Sequence, residues 1–232
     1  MILNIDVKGL EVVCAAFLSQ DKILYRELND GLDIHSDNQT KFGLPDRITA
    51  KVFKFKLLYG AMEYGFSQDP DFTFISTSPK YWKKVIDKYY EKYKGIGSWH
   101  SKIISEVART GMLTSPSGRT YKWEIRGDRL PTTEIKNYMV QGFGADIVAC
   151  ARVSMFNRWK KAGMKGKMVN TVHDSIVCDI TSDELDKAVV LVKEVFQELP
   201  SQLNRIFGIN FDLEVKVEIL YGNNQFNLEE YK

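Results

Sequence analysis

The sequence predicts an α+β chain in which short strands, some paired as hairpins, are combined with long amphipathic helices. Three observations carry that reading. Residues 2–7, ILNIDV, are apolar and β-branched and lead into Leu10, Val13, Cys14 and Phe17, which recur at helical spacing. Around 46–59, Pro45 and Asp46 sit where a helix begins and Gly60 where one ends. The run KMVNTVHDSIVCDI alternates about a polar tip, His173-Asp174, as a hairpin does.

In chain order, the start reads as strand, turn and helix. The stretch 29–43 is polar, carries Gly31 and Gly43, and no element is read in it; a helix over 46–59 follows. Turn residues fill 67–79, SQDPDFTFISTSP, which predicts an irregular connector before periodic helices over 81–93 and 99–110. Two β-rich runs flank Ser115-Pro116-Ser117-Gly118 and predict a hairpin. A helix over 132–161, the His173-Asp174 hairpin, a helix over 183–198 and a strand over 212–219 complete the order, and a polar tail follows.

Composition sets limits on function. In 232 residues, 32 basic and 30 acidic side chains leave a formal charge of +2, which excludes a histone-like polybasic binder and an acidic disordered tail. With 44% hydrophobic and 12% aromatic residues a core is easily built. No stretch approaches the ~18 uninterrupted apolar residues of a membrane span, so no membrane partner is expected. Cys14, Cys150 and Cys178 are few and widely spaced, which fits reduced thiols in a cytoplasm rather than a disulfide framework. Two basic runs, one from Lys80 through Lys92 and Lys94 to Lys102 and one from Arg158 to Lys167, read either as solvated helix faces or as basic surfaces.

At ~100° per residue, Arg47, Lys51, Phe55 and Tyr59 drift only ~40° at each step and share one flank of their helix, while Ala50, Phe53 and Leu57 take the opposite flank. A guanidinium and an ammonium one turn apart suit a polyphosphate, and a ring one turn further suits a sugar or base. A surface helix with ordinary cations fits the same spacing. Asp6 ends an apolar strand and Asp174 sits at a hairpin tip, where a carboxylate is costly unless paired. A shared pair of divalent ions is one partner; backbone donors in a turn are the other.

Taken in order, these segments resemble the polymerase core of family A DNA polymerases. ILNIDVKGLE is similar to motif A, with Asp6 and Glu11; DRITAKVFKFKLLYG to motif B, with Arg47, Lys51, Tyr59 and Gly60; and VHDS to motif C, with His173 and Asp174. NYMVQGFGAD matches a family helix through Asn137, Gln141 and Asp146, and Asp33 to His35 match a short motif before the nucleotide-binding helix. The resemblance implies a right-hand polymerase palm, an antiparallel sheet with helices, plus mostly helical fingers, without thumb or exonuclease domain. Palm would comprise 1–30 and 132–232, and fingers 31–131. Asp6 and Asp174 would be catalytic and hold two Mg²⁺; Arg47, Lys51 and His35 would bind the triphosphate; Glu11, Phe55 and Tyr59 would contact sugar and base; Asn137, Gln141 and His173 would touch primer-template DNA. The implied activity is template-directed DNA synthesis from dNTPs, in the cytoplasm of a bacterial or phage-infected cell.

Three departures accompany the resemblance. Ser175 stands where motif C usually continues with Glu, as in the His-Asp-Ser of single-subunit RNA polymerases, while Glu11 and Phe55 favour deoxynucleotides. Thr133 stands where the family often has a phosphate-contacting arginine, with Lys136 nearby as a substitute. Met1 lies five residues before Asp6, from which the carboxy-terminal piece of a split polymerase is expected, acting with a separate amino-terminal chain. A fragment of an RNA polymerase and an inactive nucleic-acid-binding remnant are the rival readings.

Overall fold

The computed structural model describes residues 1–125 and 130–231; within the stretch 31–131 assigned above to fingers, 126–129 lie outside the described residues. The chain forms two compact units, one of Met1–Val13 with Gly142–Lys232 and one of Cys14–Gln141.

In the first unit, β1 (Ile2–Val7) is a central strand because both its edges find antiparallel partners. β4 (Lys167–Val172) and β5 (Ser175–Asp179) form the hairpin expected around His173-Asp174, and β6 (Val217–Gly222) and β7 (Glu229–Glu230) extend the other side, in the order β4-β5-β1-β6-β7. Register sets Ile5 opposite Ile176 and Ile219, and Leu3 opposite Cys178. With period-two alternation, one sheet face is therefore apolar and buried. α9 (Leu185–Phe207) and the later part of α8 (Thr132–Lys161) contribute the other buried residues of this core, among them Ile147, Val192, Phe196 and Leu203.

Two expectations are corrected here. The strand expected over 212–219 pairs only from Val217, because β1 stops at Val7, opposite Val217, and offers earlier residues no ladder; a single bond from Lys8 N to Lys216 O, 2.8 Å, is what lies beyond it. The helix expected over 183–198 runs on to Phe207 with Pro200 inside it. The apolar series Val192, Val195, Phe196, Leu199 and Leu203 stays on the buried face across the proline, and burying it outweighs the one backbone bond that Pro200 cannot make.

The second unit is built on rings. Phe53 of α4 (Arg47–Leu58), Phe66 of α5 (Glu63–Gln68), Phe72, and Trp82 and Tyr89 of α6 (Pro79–Lys92) are all buried. Their centroids lie 4.9 Å apart for Phe53–Phe66 and 5.3 Å for Phe72–Trp82, the edge-to-face and offset spacing aromatic pairs favour. α7 (Lys94–Thr110) begins five residues earlier than expected, across Gly95 and Gly97. Gly95 is required there, since a Cβ would fall 2.6 Å from the Asp21 backbone, and its N–H donates to Asp21 Oδ2 at 2.6 Å. β2 (Met112–Thr114) and β3 (Thr120–Lys122) form the second hairpin as expected.

α2 (Lys22–Asn29) and α3 (Ile34–Phe42) are elements beyond those expected above. Both start at an aspartate whose side chain accepts from the first turn, Asp21 and Asp33, and α3 stops at Gly43 with φ +72°. For α3, which has no apolar stripe, capping residues are the signal, whereas α2 also carries Ile23, Leu24 and Leu28 along one flank. In the first basic run Lys80, Lys83, Lys84, Lys88, Lys94 and Lys102 are exposed. Lys92 is not on a solvated face but buried against Glu27 and Asp37, and Arg158 pairs with Glu194 and Glu198.

Candidate active site

The candidate residues fall into one group in each unit. In the first, Asp6 lies opposite Ser175 of β5 on one side and Glu218 of β6 on the other, so these side chains share the sheet face turned away from Leu3, Ile5 and Val7. Ser175 Oγ donates to Asp6 Oδ1, and Glu218 is paired with Lys8 at 2.9 Å. Val172 opposes Ser175, which leaves His173-Asp174 as a two-residue hairpin loop. Val7 N donates to Asp174 O at 3.3 Å, stitching the loop to the end of β1. The two carboxylates that sequence separates by most of the chain thus belong to adjoining strand ends. Glu11 lies in the first turn of α1 (Leu10–Ser19). Burial, opposed mainly by a backbone hydrogen bond to the carboxylate, and then the charges of Asp6 and Glu11 hold the Asp174 carboxyl above its ordinary pKa.

His173 is exposed and has φ +54°, a conformation side chains rarely adopt. Such a residue costs on the order of 1 kcal/mol. Replacing His173 by glycine is accordingly expected to raise the thermal midpoint by a few degrees in a calorimetric scan; an unchanged or lower midpoint would show the loop to be relaxed as it stands.

The donor set fits magnesium of one kind. Among the described residues no group of three or more His, Cys, Asp or Glu side chains could by itself hold a metal ion. Two hard carboxylates with excess negative charge beside them, together with substrate phosphates and water, are however what Mg²⁺ commonly takes in phosphoryl-transfer sites.

In the second unit, α4 presents the flank expected of it. Ala50, Phe53 and Leu57 are fully buried, Lys51 is exposed, and Phe55 and Tyr59 are half-buried. The Lys51 Nζ stands 6.0 Å from the Phe55 ring centroid. Arg47, at the first position of α4, donates from Nε to Asp33 Oδ2 at 2.7 Å. His35 packs on Phe55, with centroids 6.1 Å apart. Its pKa is lowered to about 4 by burial and by the cations Lys54, Arg47 and Lys51, so it is a neutral imidazole at pH 7. Gly60 follows α4 with φ +97° and lies against Thr133, whose Cα would be 2.9 Å from any Cβ added there.

On α8, Asn137 and Gln141 stand about one turn apart; Gln141 is exposed, and Asn137 Oδ1 is buried without a hydrogen-bond partner. Lys136 is a correction. It is 6% exposed, its aliphatic chain would meet a Cβ at Gly60, and burial lowers its pKa, so it does not present a cation where Thr133 replaces the expected arginine. Two contacts escaped the sequence, Asp33 with Arg47 and Ser175 with Asp6. Capping chemistry at Asp33 and the small hydroxyl after Asp174 were their local traces.

No helix among the described residues is long and apolar enough to cross a membrane. The fold is that of a polymerase domain: a solved structure, the POL domain of Pol1 from M. smegmatis in complex with DNA primer-template and dNTP, is similar with a TM-score of 0.79 and 20% identity over 95% of this chain and 39% of that one. The family itself follows from sequence. The chain belongs to DNA polymerase family A, whose model it matches over residues 1–227. It is 28% identical over 215 residues to DNA polymerase I of Lactococcus lactis, covering 85% of this chain and 24% of that protein. It is 27% identical over 233 residues to the thermostable DNA polymerase I of Thermus filiformis, covering 94% and 26%. The chain thus spans about a quarter of the length of these relatives.

Proposed function

We propose that this chain is the palm and fingers part of a DNA-directed DNA polymerase, adding deoxynucleotides from dNTPs to the 3′ end of a primer on template DNA. Palm is assigned to 1–30 and 132–232 and fingers to 31–131. The observation that carries the reading is the junction of Asp6 and Asp174 at adjoining strand ends, held by the Val7 N to Asp174 O bond and by the Asp6 to Ser175 register.

In this reading Asp6 and Asp174 hold two Mg²⁺, with Ser175 holding one oxygen of Asp6. When bound, the metal pair supplies activation of the primer 3′-hydroxyl and stabilisation of the leaving oxygen as the α-phosphorus–oxygen bond breaks and pyrophosphate departs. Arg47 and Lys51, one turn apart, hold successive phosphates. His35, neutral when the site is empty of anion, donates a hydrogen bond to the triphosphate without first being charged. Phe55 packs on the sugar, Glu11 crowds the ribose 2′ position, and Tyr59 stacks near the template base. Asn137 and Gln141 check minor-groove acceptors common to correct pairs, and His173 faces the primer end. The other polymerase segments of these relatives lie outside the quarter of their length that this chain matches.

Primer extension compares dNTPs with NTPs, before and after addition of whatever chain co-purifies with the tagged protein. Incorporation of dNTPs over NTPs is expected. Preference for NTPs would favour the RNA polymerase reading that His173-Asp174-Ser175 allows. DNA binding without any incorporation under either condition would favour an inactive remnant.

A further inference from the structure

Asp33 is half exposed, caps a helix and pairs with Arg47. Its two oxygens divide the work. Oδ1 accepts from the backbone N–H of His35 at 3.2 Å and of Ser36 at 3.3 Å, starting α3. Oδ2 accepts from Ser36 Oγ at 2.8 Å and from Arg47 Nε at 2.7 Å. The side chains of Arg47 and Asp33 are 51% and 46% exposed, and ion pairs so placed contribute little to stability. What the contact does is aim. A guanidinium has five N–H donors in one plane, and engaging Nε occupies its side edge while leaving the end-on edge of the two terminal nitrogens, which can meet a phosphate bidentately. The same carboxylate fixes the first turn of the helix that carries His35. One acidic side chain therefore sets the direction of two groups read above as triphosphate ligands.

We infer that Asp33 is a positioning residue for the triphosphate grip: it takes Nε of Arg47 so that the terminal nitrogens face the phosphates, and it anchors the start of α3 beneath His35. The inference rests on the assignment of Arg47 and His35 under the proposed function. The alternative is that Asp33 is only a counter-ion, which an arriving anion must displace. The two differ in sign. A counter-ion, once neutralised, leaves anion binding tighter, whereas loss of a positioning group leaves it weaker.

The full chain is titrated calorimetrically with inorganic tripolyphosphate as wild type and as the variants Asp33→Asn, Asp33→Ser and Arg47→Ala. Asparagine and serine both keep an oxygen that can cap α3, so the helix survives while the carboxylate charge that faces Arg47 Nε is lost. Weakening by about 5–10-fold is expected for both Asp33 variants, on the order of one ordinary hydrogen bond, because Arg47 keeps its charge and loses only its direction. The thermal midpoint should stay close to wild type, and protection of the Arg47 Nε–H from exchange should be lost in the ¹⁵N spectrum. In primer extension the same variants should raise KM for dNTP with kcat altered less. If Arg47→Ala abolishes binding while the Asp33 variants bind as well as or better than wild type, Asp33 is a counter-ion or a bystander and the inference fails alone. If Arg47→Ala also binds as wild type, the triphosphate assignment is wrong and the inference falls with it.

Discussion

Asp174→Asn is expected to lower nucleotide incorporation by at least about a thousand-fold, some 4 kcal/mol of transition-state stabilisation, while leaving the metal-free protein no less stable. The first half follows from the proposed site, where two carboxylates share the metal binding and Ser175 supplies no third. The second half follows from the environment of Asp174. Burial together with Asp6 and Glu11 raises its pKa in the folded state. A raised carboxyl binds its proton more tightly folded than unfolded. Its favourable contribution is therefore present below the unfolded pKa and lost as pH rises through the folded one. At pH 7 the ionised carboxylate is a burden that asparagine removes. Single-nucleotide extension and calorimetric melting without divalent metal read the two halves. Full activity in the variant would sink the metal assignment; inactivity with a collapsed midpoint would show Asp174 to be structural.

Lys92→Met is expected to destabilise the protein by about 3–5 kcal/mol, the range for removing one partner of a buried ion pair. The Lys92 and Glu27 side chains are 9% and 5% exposed, and Nζ lies 2.8 Å from Glu27 Oε1 and 2.7 Å from Asp37 Oδ2. Nζ also donates to Asn38 Oδ1 at 2.6 Å. Tyr93 donates to Glu27 Oε2 at 2.7 Å within the same network. The end of α6 is thereby joined to α2 and α3. Methionine fills most of the space but leaves Glu27 buried with no cation, which is where the cost arises; Asp37 keeps Lys41 at 2.9 Å. Pairing the change with Glu27→Gln should recover much of the loss in urea denaturation, because neither charge then remains buried. A single variant as stable as wild type would mean that water reaches Glu27 readily. Since α3 carries Asp33 and His35, the single variant should also weaken tripolyphosphate binding before it unfolds.

How far the site was legible depended on distance along the chain. Arg47, Lys51, Phe55 and Tyr59 share a flank because 3.6-residue periodicity alone puts them there, and Asp46, accepting from Thr49 N at 2.8 Å, starts that helix as its position implies. The His173-Asp174 hairpin was likewise local, set by alternation on either side of two polar residues. α3 was missed because IHSDNQTKF has no apolar stripe, and its ends are written in caps instead. Lys92 was misread because a lysine among lysines looks solvated until its acidic partners arrive from 55 and more residues away.

By itself, then, the amino-acid order determined the local elements and the succession of family motifs, since both are written in short-range spacing. Only the tertiary structure decided that β6 begins at Val217 and that α9 continues through Pro200, since each depends on what surface a neighbour offers. It also decided that the hydroxyl of Ser175 meets Asp6 across 169 residues, and that Asp33 turns its second oxygen to Arg47. Such contacts are energetically worth making only after the chain has been folded back on itself, and no local pattern encodes the partner that closure will deliver.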